Sequence, residues 1–206
     1  MPHCEQAFEK YDFPPGRGGR GAFTPTDAEC FACWDALAML PHIREHSLLV
    51  AGLATFLAKR AAQRGLDVDV AMVRASGLLH DIAKTYTIRH GGHHSQLGGA
   101  WAMDWTGDAR LAQGVVHHVH WPFELDVKRH FLPLAIIYAD KRVKHDRVVP
   151  LTERFLDLLE RYGTTERIRQ RIGLSNQQAK DIEASLSRIL EIDLHAYPFD
   201  SRGLVE

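Results

Sequence analysis

The stretch VAMVRASGLLHDIAK, residues 70–84, decides how the chain reads. Met72, Val73, Leu78 and Leu79 recur at helical spacing behind Asp69, a good capping residue, so a helix is expected from Val70 to about Ala83. Inside that apolar run, between Leu79 and Ile82, stand an imidazole and a carboxylate, His80-Asp81. Burying such groups without a partner is costly, so their position asks for something that compensates both.

Two more polar groups of the same kind lie on either side. A helix from about His42 to Arg64, closing at Gly65, carries His46, Val50, Leu53 or Ala54, Leu57 and Ala61 on one stripe. A histidine therefore sits on its inward face. Phe131–Val143 reads as an apolar helix in which Asp140 interrupts the run from Leu134 to Ala139. A bound cation would offset the burial of all four groups together, and two imidazoles with two carboxylates suit a divalent transition metal.

The rest of the chain is helical as well. Thr26 and Glu29 form a capping box ahead of Phe31, Trp34, Leu37 and Ala38. Short helices are expected at Ser95–Trp105 and Ala109–His118, amphipathic ones at Thr152–Tyr162 and Thr165–Arg171, and a last one behind a Ser175/Gln178 capping box. Sustained alternation and Asn-Gly or Asp-Gly hairpin turns are missing from the sequence, as are repeats and Gly-rich phosphate loops. The expectation is an all-α, single-domain helical bundle. It divides into an irregular N-terminal arm (residues 1–25), a helical core with the metal site (26–150) and C-terminal helices packed on that core (151–206).

The order His46, His80-Asp81, Asp140 resembles the H…HD…D signature of the HD-domain superfamily of metal-dependent phosphohydrolases. The surrounding words match too: Arg44-Glu45-His46-Ser47, Gly77-Leu78-Leu79-His80-Asp81-Ile82-Ala83-Lys84 and Tyr138-Ala139-Asp140, with intervals of 34 and 59 residues. The likeness covers roughly residues 42–145 and extends to the HD-type hydrolases of dinucleoside polyphosphates. It implies that His46, His80, Asp81 and Asp140 hold one metal. It implies a second metal on His94 and His117, with Asp81 bridging. His118 could replace His117 or touch substrate, since adjacent helical positions point about 100° apart and cannot both serve one metal equally. The cofactors are then two divalent ions, iron, manganese or another transition metal. A metal-bound hydroxide would attack phosphorus, with Lys84, one helical turn beyond Asp81, assisting catalysis and binding phosphate. Arg44 and His118 are further candidates for substrate contact. The expected substrate is a small phosphorylated molecule, with nucleotides as the class. Two rivals share the signature: a di-iron oxygenase using the same ligands, and a non-catalytic nucleotide-binding sensor.

Other residues read more plainly. Lys141 and Lys144 are expected on a solvated face at a helix C-terminus, where cations are favoured. Cys30-x-x-Cys33 lacks a second ligand pair and reads as core. Trp101, Trp105 and Trp121 could stack a base but fit the core better. His90 and His93, beside Gly91-Gly92, and His120 could be ligands but read as solvated loop residues, and His42, His130, His145 and His195 carry no expected role. Trp121-Pro122-Phe123 replaces the GYP motif of the cyclic-dinucleotide phosphodiesterases, which argues against that activity. Glycine-spaced Arg17 and Arg20 in the arm could meet an anion, though a solvated tail is the simpler reading.

Bulk properties exclude several classes. The net charge is −1, so no global footprint for nucleic acid appears. No apolar run reaches the length of a membrane span, the opening residues lack the core of a secretory leader, and three cysteines suit a reducing compartment. A cytoplasmic protein, with the C-terminal helices free to shape a pocket or a homodimer interface, is expected.

Overall fold

A computed structural model describes residues 21–205. The helices are α1 (Asp27–Ala36), α2 (Pro41–Gln63), α3 (Val70–Leu79), α4 (Lys84–His90), α5 (His94–Thr106), α6 (Ala109–His117), α7 (Phe131–Arg142), α8 (Leu151–Tyr162) and α9 (Glu166–Leu190). The fold is all-α apart from one small hairpin: β1 (Val143–Lys144) pairs antiparallel with β2 (Arg147–Val148). Arg17, Arg20, Cys4 and most of the expected arm lie outside the described residues. Among the described residues no helix is long and apolar enough to cross a membrane.

Local chemistry sets the helix boundaries. Thr26 Oγ1 accepts the Glu29 N–H at 3.3 Å, and the Thr26 N–H donates to Glu29 Oε2 at 2.8 Å, closing the capping box of α1. Pro41 opens α2, where its missing N–H costs nothing. Asp69 caps α3 by accepting from Met72 at 2.9 Å, and Asp108 caps α6 by accepting from Arg110 at 2.8 Å. Gly91, at φ +79°, ends α4 in a conformation that L side chains avoid.

Three boundaries differ from the sequence expectation. The helix through residues 70–84 stops at Leu79. His80–Ala83 form a turn with i→i+3 bonds, Ile82 to Leu79 at 3.1 Å and Lys84 to Asp81 at 2.9 Å, before α4 begins. The break re-aims the chain at the His80-Asp81 pair. Second, α9 runs unbroken through Ser175, because Ile172 packs on the same core cluster as Ala179, Ile182, Leu186 and Leu190, and a new start at Ser175 would break that continuous face. The third is the β1–β2 hairpin, whose two-residue turn holds His145 at φ +56° with no glycine to announce it.

Two apolar clusters hold the bundle. One joins α2, α7 and α9 through residues such as Leu53, Leu57, Ile137, Ile182 and Leu186. The other joins α1, α3, α5 and α6 through Trp34, Leu78, Leu79, Trp105 and Leu111. Fully burying one such side chain is worth roughly 1.5–3 kcal/mol. At Gly77 the backbones of α3 and α2 touch, and a Cβ there would lie 2.7 Å from the Ala51 Cα. That approach lets His80 on one helix end meet His46 on the other, with ring centroids 5.4 Å apart. The Trp34 indole donates to the Leu78 carbonyl at 3.0 Å and ties α1 to the same region.

Cys30 and Cys33 are free, fully buried thiols. Burial pushes the Cys33 thiol up to about 12 and raises Cys30 as well. Neither should react with an alkylating reagent at neutral pH until the protein unfolds, which peptide mapping after iodoacetamide treatment will show. Labelling of either residue in the native protein would mean that α1 detaches readily.

Candidate metal centre

Five helix segments converge on one point. His46 comes from α2, His80-Asp81 from the turn after α3, His94 from the first residue of α5, His118 from the end of α6, and Asp140 from α7. Asp81 lies in the middle and is 1% exposed. Its Oδ2 faces His80 Nε2 at 3.5 Å and Lys84 Nζ at 2.8 Å. Its Oδ1 faces His94 Nε2 at 3.4 Å and His118 Nε2 at 3.5 Å. Asp140 Oδ1 lies 3.0 Å from His46 Nε2 and 3.8 Å from His80 Nε2. The His94 and His118 Nε2 atoms are 3.1 Å apart.

Two of the histidines are oriented from behind. Nδ1 of His80 donates to the Gly77 carbonyl at 2.7 Å, and Nδ1 of His118 donates to the Val115 carbonyl at 2.7 Å. With Nδ1 carrying the proton, each Nε2 presents a lone pair to the centre, the arrangement that metal-ligating imidazoles adopt. His80 Nε2 and Asp81 Oδ1 are buried with no hydrogen-bond partner among the described residues. Orphaned atoms of this kind are rare in proteins unless a ligand satisfies them. The groups His46/His80/Asp81 and Asp81/His94/His118 each bring three ligand atoms close enough to hold a metal ion. Four imidazoles and two carboxylates fit a divalent transition metal better than a hard cation that prefers oxygen alone.

The expected residues fare differently. His46, His80, Asp81, His94, Asp140 and Lys84 are brought together. His117 is not: its ring packs against Trp121 and Phe123, with centroids at 5.2 and 5.7 Å. His118 faces Asp81 instead. Leu111, Val115 and His118 share the inward stripe of α6, while His117 points about 100° away. Arg44 is also turned elsewhere. Its guanidinium pairs with Asp35 and donates to the carbonyls of Trp34 at 3.1 Å and Met39 at 2.8 Å, pinning α2 to α1. Lys141, expected on a solvated face, is buried with Nζ 2.6 Å from Asp140 Oδ2. Trp105 and Trp121 are core residues.

Burial and charge pull the titrations in opposite directions. Burial alone would raise Asp81, but the neighbouring His80 and Lys84 hold its carboxyl well below the usual range. Burial likewise opposes the charge on Asp140, and Lys141 and His46 overcome it, so this carboxyl is also held well below its usual range. For Lys84, burial disfavours the ammonium, but Asp81 and Asp140 outweigh it and raise the pKa. Burial lowers His80 to about 3 and His94 to about 4, despite the pull of Asp81.

These shifts give the metal-free protein a defined acid response. An unfolded chain takes up a proton on each histidine near pH 6.5, whereas the folded state does so only near 3 and 4. Between these values the unfolded state binds more protons, so stability falls as pH drops, by up to about 1.4 kcal/mol per pH unit for each histidine. Asp81 and Asp140 act in the same sense further down. Their contribution is present above the unfolded value of 3.8 and is lost as pH falls through their folded values. Denaturant titration of chelator-treated protein should show lower stability at pH 5 than at pH 7. Equal stability would mean that the two imidazoles are not buried as described.

Residues 43–162 match the family model of the HD domain, more than half of the chain. The chain belongs to the HD domain family. HD proteins are generally metal-dependent phosphohydrolases, and the metal-competent His/Asp cluster lies within the matched segment. The HD chain is also similar to Uncharacterized protein MJ0778 of Methanocaldococcus jannaschii, at 30% identity over 133 residues, which cover 56% of this chain and 78% of that protein. No solved structure matches it.

Proposed function

We propose that this HD protein hydrolyses a phosphate ester or anhydride, with nucleotides as the expected substrate class, at a centre of two divalent metal ions. His46, His80, Asp81 and Asp140 would hold one ion, and Asp81, His94 and His118 the other. The observation that supports this most is that the Asp81 carboxylate turns one oxygen toward His80 and the other toward His94 and His118, with Asp81 Oδ1 and His80 Nε2 buried and without a hydrogen-bond partner among the described residues. Bound there, divalent cations supply Lewis acidity, which polarises a phosphoryl oxygen and makes a water-derived nucleophile available at neutral pH.

The chain's own groups do the rest. The depressed carboxyls keep Asp81 and Asp140 ionised throughout the physiological range. Backbone carbonyls of Gly77 and Val115 hold the Nδ1 protons of His80 and His118, so the rings cannot turn away. Lys84, with its side chain 39% exposed, places an ammonium at the mouth of the centre, where it can meet a phosphoryl oxygen. Lys141 places a second one beside Asp140.

Phosphate release from a series of nucleotides, run in parallel with manganese, iron, cobalt and magnesium, tests this reading. Release that depends on added metal and stops with chelator is expected. Oxygen consumption by the iron-loaded protein, with no phosphate released from any ester or anhydride, would overturn it.

A further inference from the structure

A cavity of about 500 Å³ opens next to the metal centre. Its walls continue directly from the centre's own residues. Val119 and His120 follow His118, and Lys141 follows Asp140. The opposite walls come from α8 and α9, through Phe155, Leu158, Ile168, Ile172 and Leu174. The α9 wall, residues 168–175, lies outside the segment that matches the family. Gln178 holds the wall in place from both sides: its Oε1 accepts the Trp121 N–H at 3.0 Å, and its Nε2 donates to the Trp121 carbonyl at 2.8 Å.

The lining chemistry is uneven. Five large apolar side chains face the space, and the polar groups are few: Lys141, His120, Arg171 and Ser175. Two of those four, Lys141 and Arg171, are cationic, which suits a ligand with an anionic end. A volume of this size accommodates a ring system with its attached group. Apolar walls with few hydrogen-bonding groups recognise a ring by its faces, and they discriminate by size far better than by the pattern of polar edges.

We infer that this cavity holds the organic group of the substrate, a flat aromatic or apolar ring system taken by its faces, while the phosphoryl end lies toward Lys141 and the His/Asp cluster. The inference rests on the phosphohydrolase reading and makes the enzyme selective for ring size and nearly indifferent to base identity.

Phenyl phosphate and 2-naphthyl phosphate provide the test, because their leaving groups are similar and neither carries a base edge. With metal-loaded wild type, kcat/KM should favour the naphthyl ester by about tenfold or more. Ile168→Trp or Ile172→Trp, which fill the cavity, should bring the ratio close to one. Leu156→Trp, on α8 but outside the lining, should keep the wild-type ratio. Binding of 2-naphthyl phosphate, followed by its own fluorescence, is measured on the same proteins. Hydrolysis of both esters with no size preference, or a preference that both filling variants leave intact, overturns the cavity assignment and leaves the hydrolase reading standing. Binding that the filling variants abolish, with no phosphate released from either ester or from the nucleotide series, retains the cavity and sinks the hydrolase reading. Failure of binding, together with failure of phosphate release from the nucleotide series, overturns both.

Discussion

Asp81→Asn should strip metal from the protein and lower phosphate release by at least about 10²–10³-fold, the loss seen when a single oxyanion-hole donor is removed. Asparagine keeps the size of the side chain but replaces one oxygen with an NH2 group, which cannot ligate. Asp81 faces both groups of histidines, one oxygen toward His80 and the other toward His94 and His118, so an amide with a single neutral oxygen can no longer serve both groups. Asp140→Asn removes a carboxylate that, among the site's histidines, is paired with His46 and His80, and it should leave the His94/His118 group able to bind. Metal content and phosphate release measured on the same samples separate the two cases. Full metal content in Asp81→Asn would exclude Asp81 as the shared ligand.

Arg142→Met should destabilise the protein by about 3–5 kcal/mol, because it leaves an uncompensated buried charge. Arg142 is 3% exposed and donates to the Val149 carbonyl at 2.7 Å, the Leu194 carbonyl at 2.8 Å and Glu183 Oε1 at 3.0 Å, and it also bonds the Tyr138 hydroxyl. Tyr138 in turn donates to the same Glu183 oxygen at 2.9 Å. This network joins α7 to α9 and to the chain beyond it. For a domain of this size the melting temperature should fall by roughly 10 °C. Adding Glu183→Leu removes the stranded anion and should recover much of the loss. A single variant that melts within a degree or two of wild type would show that the network contributes little.

The network also explains how Asp140 is placed. Arg142 anchors the end of α7 two residues beyond the carboxylate, from the side away from the other metal-site helices. Stability and site geometry are therefore linked through one helix, which is buried on nearly every face.

Much of this was legible from sequence for a physical reason. His46, Asp81 and Asp140 interrupt apolar stripes, and the cost of burying them unpaired points to a shared compensating ligand. Helix caps at Thr26 and Asp69 follow from local side-chain chemistry and are met in the structure. The less legible features depend on tertiary contacts. His94 opens α5 beside glycines, where periodicity has nothing to say, and only the family likeness marked it. His117 and His118 are neighbours, and the choice turns on which one shares the Leu111–Val115 stripe. Lys141 sits in a basic run at a helix end, which usually means solvent, yet it is buried with its ammonium paired to Asp140. The turn at His80–Ala83 contains no glycine or proline, so no local signal marks the break.

Elemental analysis of the chain and its two neighbouring histidine variants tests the metal centre most directly. Protein prepared with manganese and without chelator should carry about two ions per chain, the number a two-metal phosphoryl-transfer site requires. His118→Ala should lose about one of them, while His117→Ala, whose ring packs on Trp121 and Phe123, should keep both. Metal lost from His117→Ala and retained by His118→Ala would contradict the centre described here.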